Sequence, residues 1–472
     1  MVINRLAVVW VAALAAASPA QVWEKLITPG LVYRAEVDST IPRMIHALRW
    51  TPSAVVVKAV PELAGGTVYE DNESKGREKI SDMARRTGAL AAINADFFPF
   101  TGDPLGFMVR NRELLSLPYP SRSTFGWGPA TSGIGSVNCQ LSYTVDGSGP
   151  TPLNSLNEES GQNSLTLNTE RAGIARVKAG LTNVHAVVKI IEGGWQVGGK
   201  AVGEVQYLLT DSSSVPIAPG NCLLSATGTM MPILAGLRPG QRITFDLKVS
   251  GYDWTKVENV VAAGPNLVRN GSIAVDAEVQ GFDSAFSAKR HPRSAMGRTQ
   301  NGDIWFVAID GRQKLSDGAT LEELAKVMQR LGCTEAINLD GGGSTTLSLL
   351  GMVVNRPSEG KEREVANGIV FLGAMPNREE AVLSIKVPDQ TVAGTTAYLR
   401  VVDEKGNPIS NAEVVWSATG SGWIDQGGFL RLVGEGTVFV SAFVHGQSLA
   451  SGVPVLPVPP PKEKKVGGKI KT

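Results

Sequence analysis

Histidine and cysteine are scarce in this chain of 472 residues, at four and three. Cys139, Cys222 and Cys333 lie far apart, and no C-x-x-C occurs. This is not a disulfide framework, and the odd count leaves at least one thiol unpaired within the chain. His46, His185, His291 and His445 join no His/Cys cluster of zinc-site spacing, which discounts a zinc enzyme. The body has no long basic block and the formal net charge is +1. A nucleic-acid partner is therefore not expected, because such affinity rests on phosphate neutralisation. G-x-G-x-x-G, G-x-S-x-G and a P-loop are missing, which removes the usual dinucleotide, esterase and nucleotide-phosphate readings. Long apolar runs are confined to the N-terminus. There Arg5 precedes "LAVVWVAALAAA", which is short for a bilayer span, and Ser18-Pro19-Ala20 carries small residues at −3 and −1. Residues 1–20 read as a signal peptide, so the remainder is expected to be soluble and exported, to the periplasm, cell surface or medium.

Three regions follow. Residues 21–375 mix helix and strand signals. Residues 376–457 hold only short β-type runs, such as "TTAYLRVVD", "AEVVWSA" and "TVFVSAFV", separated by turns. That rhythm predicts a small β-sandwich, and it resembles bacterial immunoglobulin-like modules. Residues 458–472 are Pro- and Lys-rich and read as an extended tail, with peripheral contact to an anionic envelope as its functional reading. Every candidate site residue precedes Gly373, so the C-terminal module is expected to be dispensable for folding and activity of the rest.

One phrase is written twice. Ala-Ile-Asn-x-Asp occurs at 92–96 and at 336–340, each time with a Gly eight residues before the Asp. An amphipathic helix precedes each Gly. "SKGREKISDMARRTG" has Ile80, Met83 and Ala84 on one face. "TLEELAKVMQRLG" opens with a Thr320/Glu323 capping box and carries a Leu321, Leu324, Ala325, Met328 stripe. The spacing thus predicts helix, Gly turn, buried strand and Asn-x-Asp, twice over. The fold class is α+β, with a mixed sheet and pseudo-repeated helix–strand units. Alternation puts Asn94 with Asp96 and Asn338 with Asp340 on one face, and Ile93 and Ile337 on the other. Two carboxylates at buried strand ends are expected to converge on one cleft.

Phe97 follows the first Asp and suits a sugar-ring face. Gly341-Gly342-Gly343-Ser344 follows the second, and such a run can aim N–H groups at an anion. Lys289, Arg290, His291, Arg293 and Arg298 cluster ahead of a strand that ends in Asp310. Arginine suits bidentate binding of phosphate or carboxylate. Paired carboxylates suggest glycoside chemistry, and the basic loop and Gly turn suggest phosphate. A sugar joined through C1 to phosphate has both features.

"AINADFF", "GPNLVRNG" (264–271), "RHPRSAMG" (290–297), "FVAIDGRQ" (306–313), "AINLDGGGSTTL" (336–347) and "VANGIVF" (365–371), in that order, resemble the phosphodiester glycosidase family. The family often writes Asn-Gly-Gly-Phe-Phe where this chain has Asn94-Ala95-Asp96-Phe97-Phe98, so the resemblance gives Asp340 priority over Asp96. It implies hydrolysis of a sugar-1-phosphodiester or envelope glycan. Asp340 would serve as nucleophile, base or charge stabiliser at C1. Arg293, with Arg290 and His291, would hold phosphate, and Gly341 to Ser344 would line the anion site. Asn94, Asn338 and Asp96 would position sugar hydroxyls. No cofactor is required by this chemistry. A Ca²⁺ at the Asp cluster is compatible with it, although no spacing specifies one. Two other classes stay open: a non-catalytic envelope-glycan binder, and a metal-dependent phosphodiesterase that breaks P–O.

Overall fold

The computed structural model describes residues 20–38, 41–70, 76–99, 102–388 and 391–458. Apart from Ala20 and Val458, the expected signal peptide and Lys-rich tail lie outside them.

Three sheets surround the main core. The first has eight strands in the order Gln21–Thr28, Leu31–Asp38, Arg43–Trp50, Ile304–Ile309, Arg293–Thr299, Cys333–Asn338, Asn266–Arg269 and Ser272–Ile273. The second has five, with Ala91–Asn94 at its centre between Leu347–Leu349 and Asn367–Leu372. The third also has five, with Asn259–Ala263 at its centre beside Ser123–Gly128. Ile93, Ile337, Phe125, Trp127, Phe306 and Phe371 meet in one buried cluster, with Phe306 edge-on to Phe371 at 4.9 Å.

Each Asn-x-Asp strand carries a helix on its outer side. Ile80–Thr87 packs Ile80, Met83 and Ala84 against Ala92, and Gly88 ends it in the left-handed conformation that a Cβ disfavours. Leu321–Arg330 packs Leu321, Leu324, Ala325 and Met328 against Ala336, and both capping-box hydrogen bonds are made. Alternation explains the geometry. Ile93 and Ile337 face the shared core, while Ala92 and Ala336 face the helices.

The expected α+β class with a mixed sheet needs correction. The molecule is mostly β, and among the named strand pairs only Ser155–Leu156 with Leu165–Asn168 is parallel. Much of the difference lies in residues 138–250. They form a further eight-stranded sheet over their own core of Tyr143, Leu224, Phe245 and neighbours. Lys200–Thr210 and Arg242–Ser250 alternate buried with more exposed positions, which is the period of a strand and not of a helix.

Residues 384–455 are also all strand and turn, around a core that includes Leu399, Trp416, Leu430 and Val440. They form three small antiparallel sheets, not the two continuous sheets of the expected immunoglobulin-like sandwich. The module is docked on the rest. Lys25 donates to the carbonyls of Asn411 (2.7 Å), Gln426 (3.1 Å) and Val414. Val415 and Phe443 enter the main core, and Trp423 packs on Val37 and Met44. The expectation that this module is dispensable is not supported, because its removal uncovers buried apolar surface on the remainder.

Candidate active site

The two Asn-x-Asp ends are joined. The Asp340 N–H donates to the Ala95 carbonyl at 2.9 Å, and Asn94 Nδ2 donates to the Asp340 carbonyl at 2.6 Å. Asn94 Oδ1 accepts from Ser294 Oγ at 2.8 Å and from the Thr346 N–H at 3.2 Å. Asn94 is therefore a brace between sheets, and its amide is not free for a sugar hydroxyl. Asn338 is fully buried and donates to the carbonyls of Gly264 (2.8 Å) and Leu339 (2.7 Å). Its Oδ1 is buried without a hydrogen-bond partner among the described residues.

Asp96 lies just past its strand and is buried. Its Oδ1 accepts the Phe97 N–H and its Oδ2 the Gly106 N–H, both at 2.8 Å. Burial pushes its carboxyl up to about 8; the two N–H bonds and Arg122 oppose this, and Asp340 adds to it. Asp340 is partly exposed and accepts the Gly341 N–H at 2.8 Å. Burial also lifts its carboxyl, to about 6, against the pull of Ser344, the Gly341 N–H and Arg363. Desolvation thus raises both acids, and one more than the other. Both Asp96 oxygens already face N–H donors, and among the described residues no three His, Cys, Asp or Glu side chains group at metal-binding distances.

Gly341 to Ser344 form a tight turn against the basic loop. A Cβ on Gly341 would come within 2.8 Å of the Pro292 carbonyl oxygen. A Cβ on Gly342 would meet the Arg312 guanidinium at 3.3 Å, and one on Gly343 would fall on Arg363 and Glu359 side-chain ends. The turn thus leaves room for the Arg312 and Arg363 side chains, and Arg363 is the cation whose field reaches Asp340. Arg312 donates to His291 Nδ1 at 3.1 Å, and Arg363 pairs with Glu359. Burial, Arg293, Arg312 and Lys289 all hold the His291 ring below its usual range, so it is neutral near pH 7.

Residues 187–372 match the family described as phosphodiester glycosidase. That segment belongs to this family. It contains Arg293, Asp310, Arg312, Asp340, the Gly turn and Arg363, whereas Asn94, Asp96, Phe97 and Arg122 lie outside it. A bovine (Bos taurus) N-acetylglucosamine-1-phosphodiester alpha-N-acetylglucosaminidase is 33% identical over 102 residues, which is 20% of this chain and 19% of that protein. The chain thus spans about a fifth of that relative's length. A hypothetical protein from Synechocystis has a similar fold, with a TM-score of 0.61 at 25% identity over 76% of this chain and 65% of that one. A putative exported protein from Burkholderia pseudomallei gives 0.58 at 23% over 70% and 74%.

Within this phosphodiester glycosidase segment, two expected ligands of phosphate, Arg293 and Arg290, have other work, and so does Asp310. Arg293 is 1% exposed. It donates to the carbonyls of Ala319 (3.0 Å), Phe286 (2.5 Å) and Lys289 (3.1 Å), with Phe286 stacked at 4.7 Å. It pins the loop before its own strand. Arg290 is exposed and pairs with Glu323 at 2.6 Å. Asp310 is buried and accepts from Asn355 Nδ2 (3.1 Å) and the Arg356 N–H (2.9 Å). Arg356 then reaches the carbonyls of Gly420 and Gly422 in the C-terminal module. Phe97 packs with Phe282 and Phe286 at 5.6 and 6.2 Å. The sequence reading missed Arg122, Arg312 and Arg363. Arg312 stands inside "FVAIDGRQ", and its left-handed φ of 59° has no sequence mark in a non-glycine residue. Arg122 and Arg363 lie outside every motif quoted above.

Proposed function

We propose that the protein is an exported hydrolase that cleaves the glycosidic C1–O bond of a sugar-1-phosphodiester. The substrate is of the N-acetylglucosamine-1-phosphodiester kind or part of an envelope glycan. The observation that carries this reading is the pair Asp340 and Asp96, on hydrogen-bonded strand ends, with carboxyls pushed to about 6 and about 8 beside an arginine-flanked Gly turn. Near neutrality such a pair holds one charged and one protonated member. Asp340, charged, serves C1 as nucleophile, base or stabiliser of oxocarbenium-like charge. Asp96, protonated, donates a hydrogen bond or proton. Phosphate is already a good leaving group, so capture of its charge matters more than strong general-acid help. Arg312, Arg363 and the Gly341–Ser344 turn are the groups assigned to that capture. The substrate class rests on the family match and on the name of the bovine relative.

The test is a panel of sugar-1-phosphodiesters incubated with the purified full chain, with and without a chelator. Release of free sugar and phosphomonoester that persists in chelator is the expected result. Binding without turnover would make the protein a glycan binder, and activity abolished by chelator would make it a metal-dependent phosphodiesterase.

A further inference from the structure

Arg122 stands apart from the other arginines near the site. Arg290, Arg293, Arg312, Arg356 and Arg363 all have hydrogen-bond acceptors or acidic partners. Arg122 Nε and Nη1 are buried with none among the described residues. Its guanidinium lies over Phe282 at 3.7 Å, Phe97 at 5.1 Å and Tyr119 at 5.7 Å. Aromatic faces hold a cation in place but leave its N–H groups unsatisfied.

The cage is built. Ser121 takes a left-handed φ of 65°, and the Arg122 N–H closes the turn on the Tyr119 carbonyl at 3.3 Å. The next residue, Ser123, is held by the buried Gln280, which accepts its N–H at 3.1 Å and donates to its hydroxyl at 2.9 Å. Gln280 stands two residues before Phe282, so one loop both fixes the backbone beside Arg122 and lays a ring over its side chain. Asp96 is the acid whose field Arg122 feels, and burial keeps Asp96 largely protonated at neutral pH. The cation is therefore not neutralised from within. Arg363 acts on Asp340 and Arg122 on Asp96, so each carboxyl has its own positive neighbour.

We propose that Arg122 and its aromatic cage form a second anion-binding position beside Asp96, which takes an acidic substituent on the sugar of the substrate. This rests on the glycosidase reading and narrows its substrate to an acidic sugar-1-phosphodiester. Guanidinium donors match a carboxylate or a phosphoryl group, and two probes separate these sources.

Calorimetry on the full chain should compare glucose, glucuronate and glucose 6-phosphate as ligands of wild type, Arg122→Met and Arg122→Lys. Binding does not require turnover, so the result stands apart from the fate of the glycosidase reading. Wild type is expected to favour one of the acidic sugars over glucose by about tenfold, the worth of one good charged contact. Arg122→Met should erase that preference, and Arg122→Lys should keep part of it. The preferred probe identifies the anion. Equal binding of all three by wild type, or a preference that survives in Arg122→Met, would overturn the proposal. If Arg122→Met does not fold, the wild-type preference and its reduction in Arg122→Lys decide.

Discussion

Asp340 and Asp96 are the same residue type at equivalent places in two copies of one phrase, yet their surroundings separate them. Asp96 is the more enclosed and is held higher. If the charged form of one and the protonated form of the other are both needed, kcat/KM is expected to be bell-shaped, with limbs near 6 and 8 that belong to the coupled pair. Asp340→Asn should lower turnover by about 10²-fold or more without loss of fold. Asp96→Asn should cost less and remove the alkaline limb. A pH–rate series on the three proteins checks this, and wild-type turnover in Asp340→Asn would take that residue out of the mechanism. Stability gives a second readout. Both carboxyls are raised above their ordinary value of 3.8, so the native state binds more protons than the unfolded state from about pH 4 to about pH 8. Stability therefore falls as pH rises through that window, and the fall should be shallower in Asp96→Asn.

At the scale of elements, the two helix–turn–strand units were legible because hydrophobic period, caps and glycines agreed. Gly88 and the Thr320/Glu323 box end or start helices within a residue of the expected places. Less legible was what each polar side chain touches. Arg293 and Arg312 stand 19 positions apart in one basic stretch, and only packing decides that the first is buried on carbonyls while the second lies against the Gly turn. The Gly turn offers a clean separation of fold from binding. Gly341→Ala drives a Cβ toward the Pro292 backbone and should destabilise the protein. Gly343→Ala has the flexible ends of Arg363 and Glu359 as its nearest neighbours. It should leave the melting temperature near wild type and raise KM instead. Thermal melts and Michaelis constants for the two variants decide whether the turn positions the arginines.

At the scale of the molecule, the sequence reading proposed three regions but not the docking of the C-terminal module or the separate core of residues 138–250. Long-range pairing leaves little local trace, whereas strand content does. The docked C-terminal module carries its own expectation. Lys25 is 5% exposed, and its ammonium is tied to three carbonyls across the interface. Lys25→Ala leaves those carbonyls without their partner, at about 1–3 kcal/mol for each group left unsatisfied. It should lower the melting temperature and speed proteolytic release of the module. Deletion of residues 376–472 should be worse, giving poorly soluble protein, since Val37, Met44 and part of the main core lose their cover. A soluble, active truncation would show that the interface is not needed. The identity of the bond that breaks separates a glycosidase from a phosphodiesterase. Turnover of a sugar-1-phosphodiester in ¹⁸O-water, with mass spectrometry of both products, tests it most directly. Attack at the anomeric carbon places the label at sugar C1 and none in the released phosphomonoester, whether configuration is retained or inverted. Label in the phosphomonoester, with product exchange excluded, would contradict the assignment of Asp340 to sugar C1 and mark the protein as a phosphodiesterase.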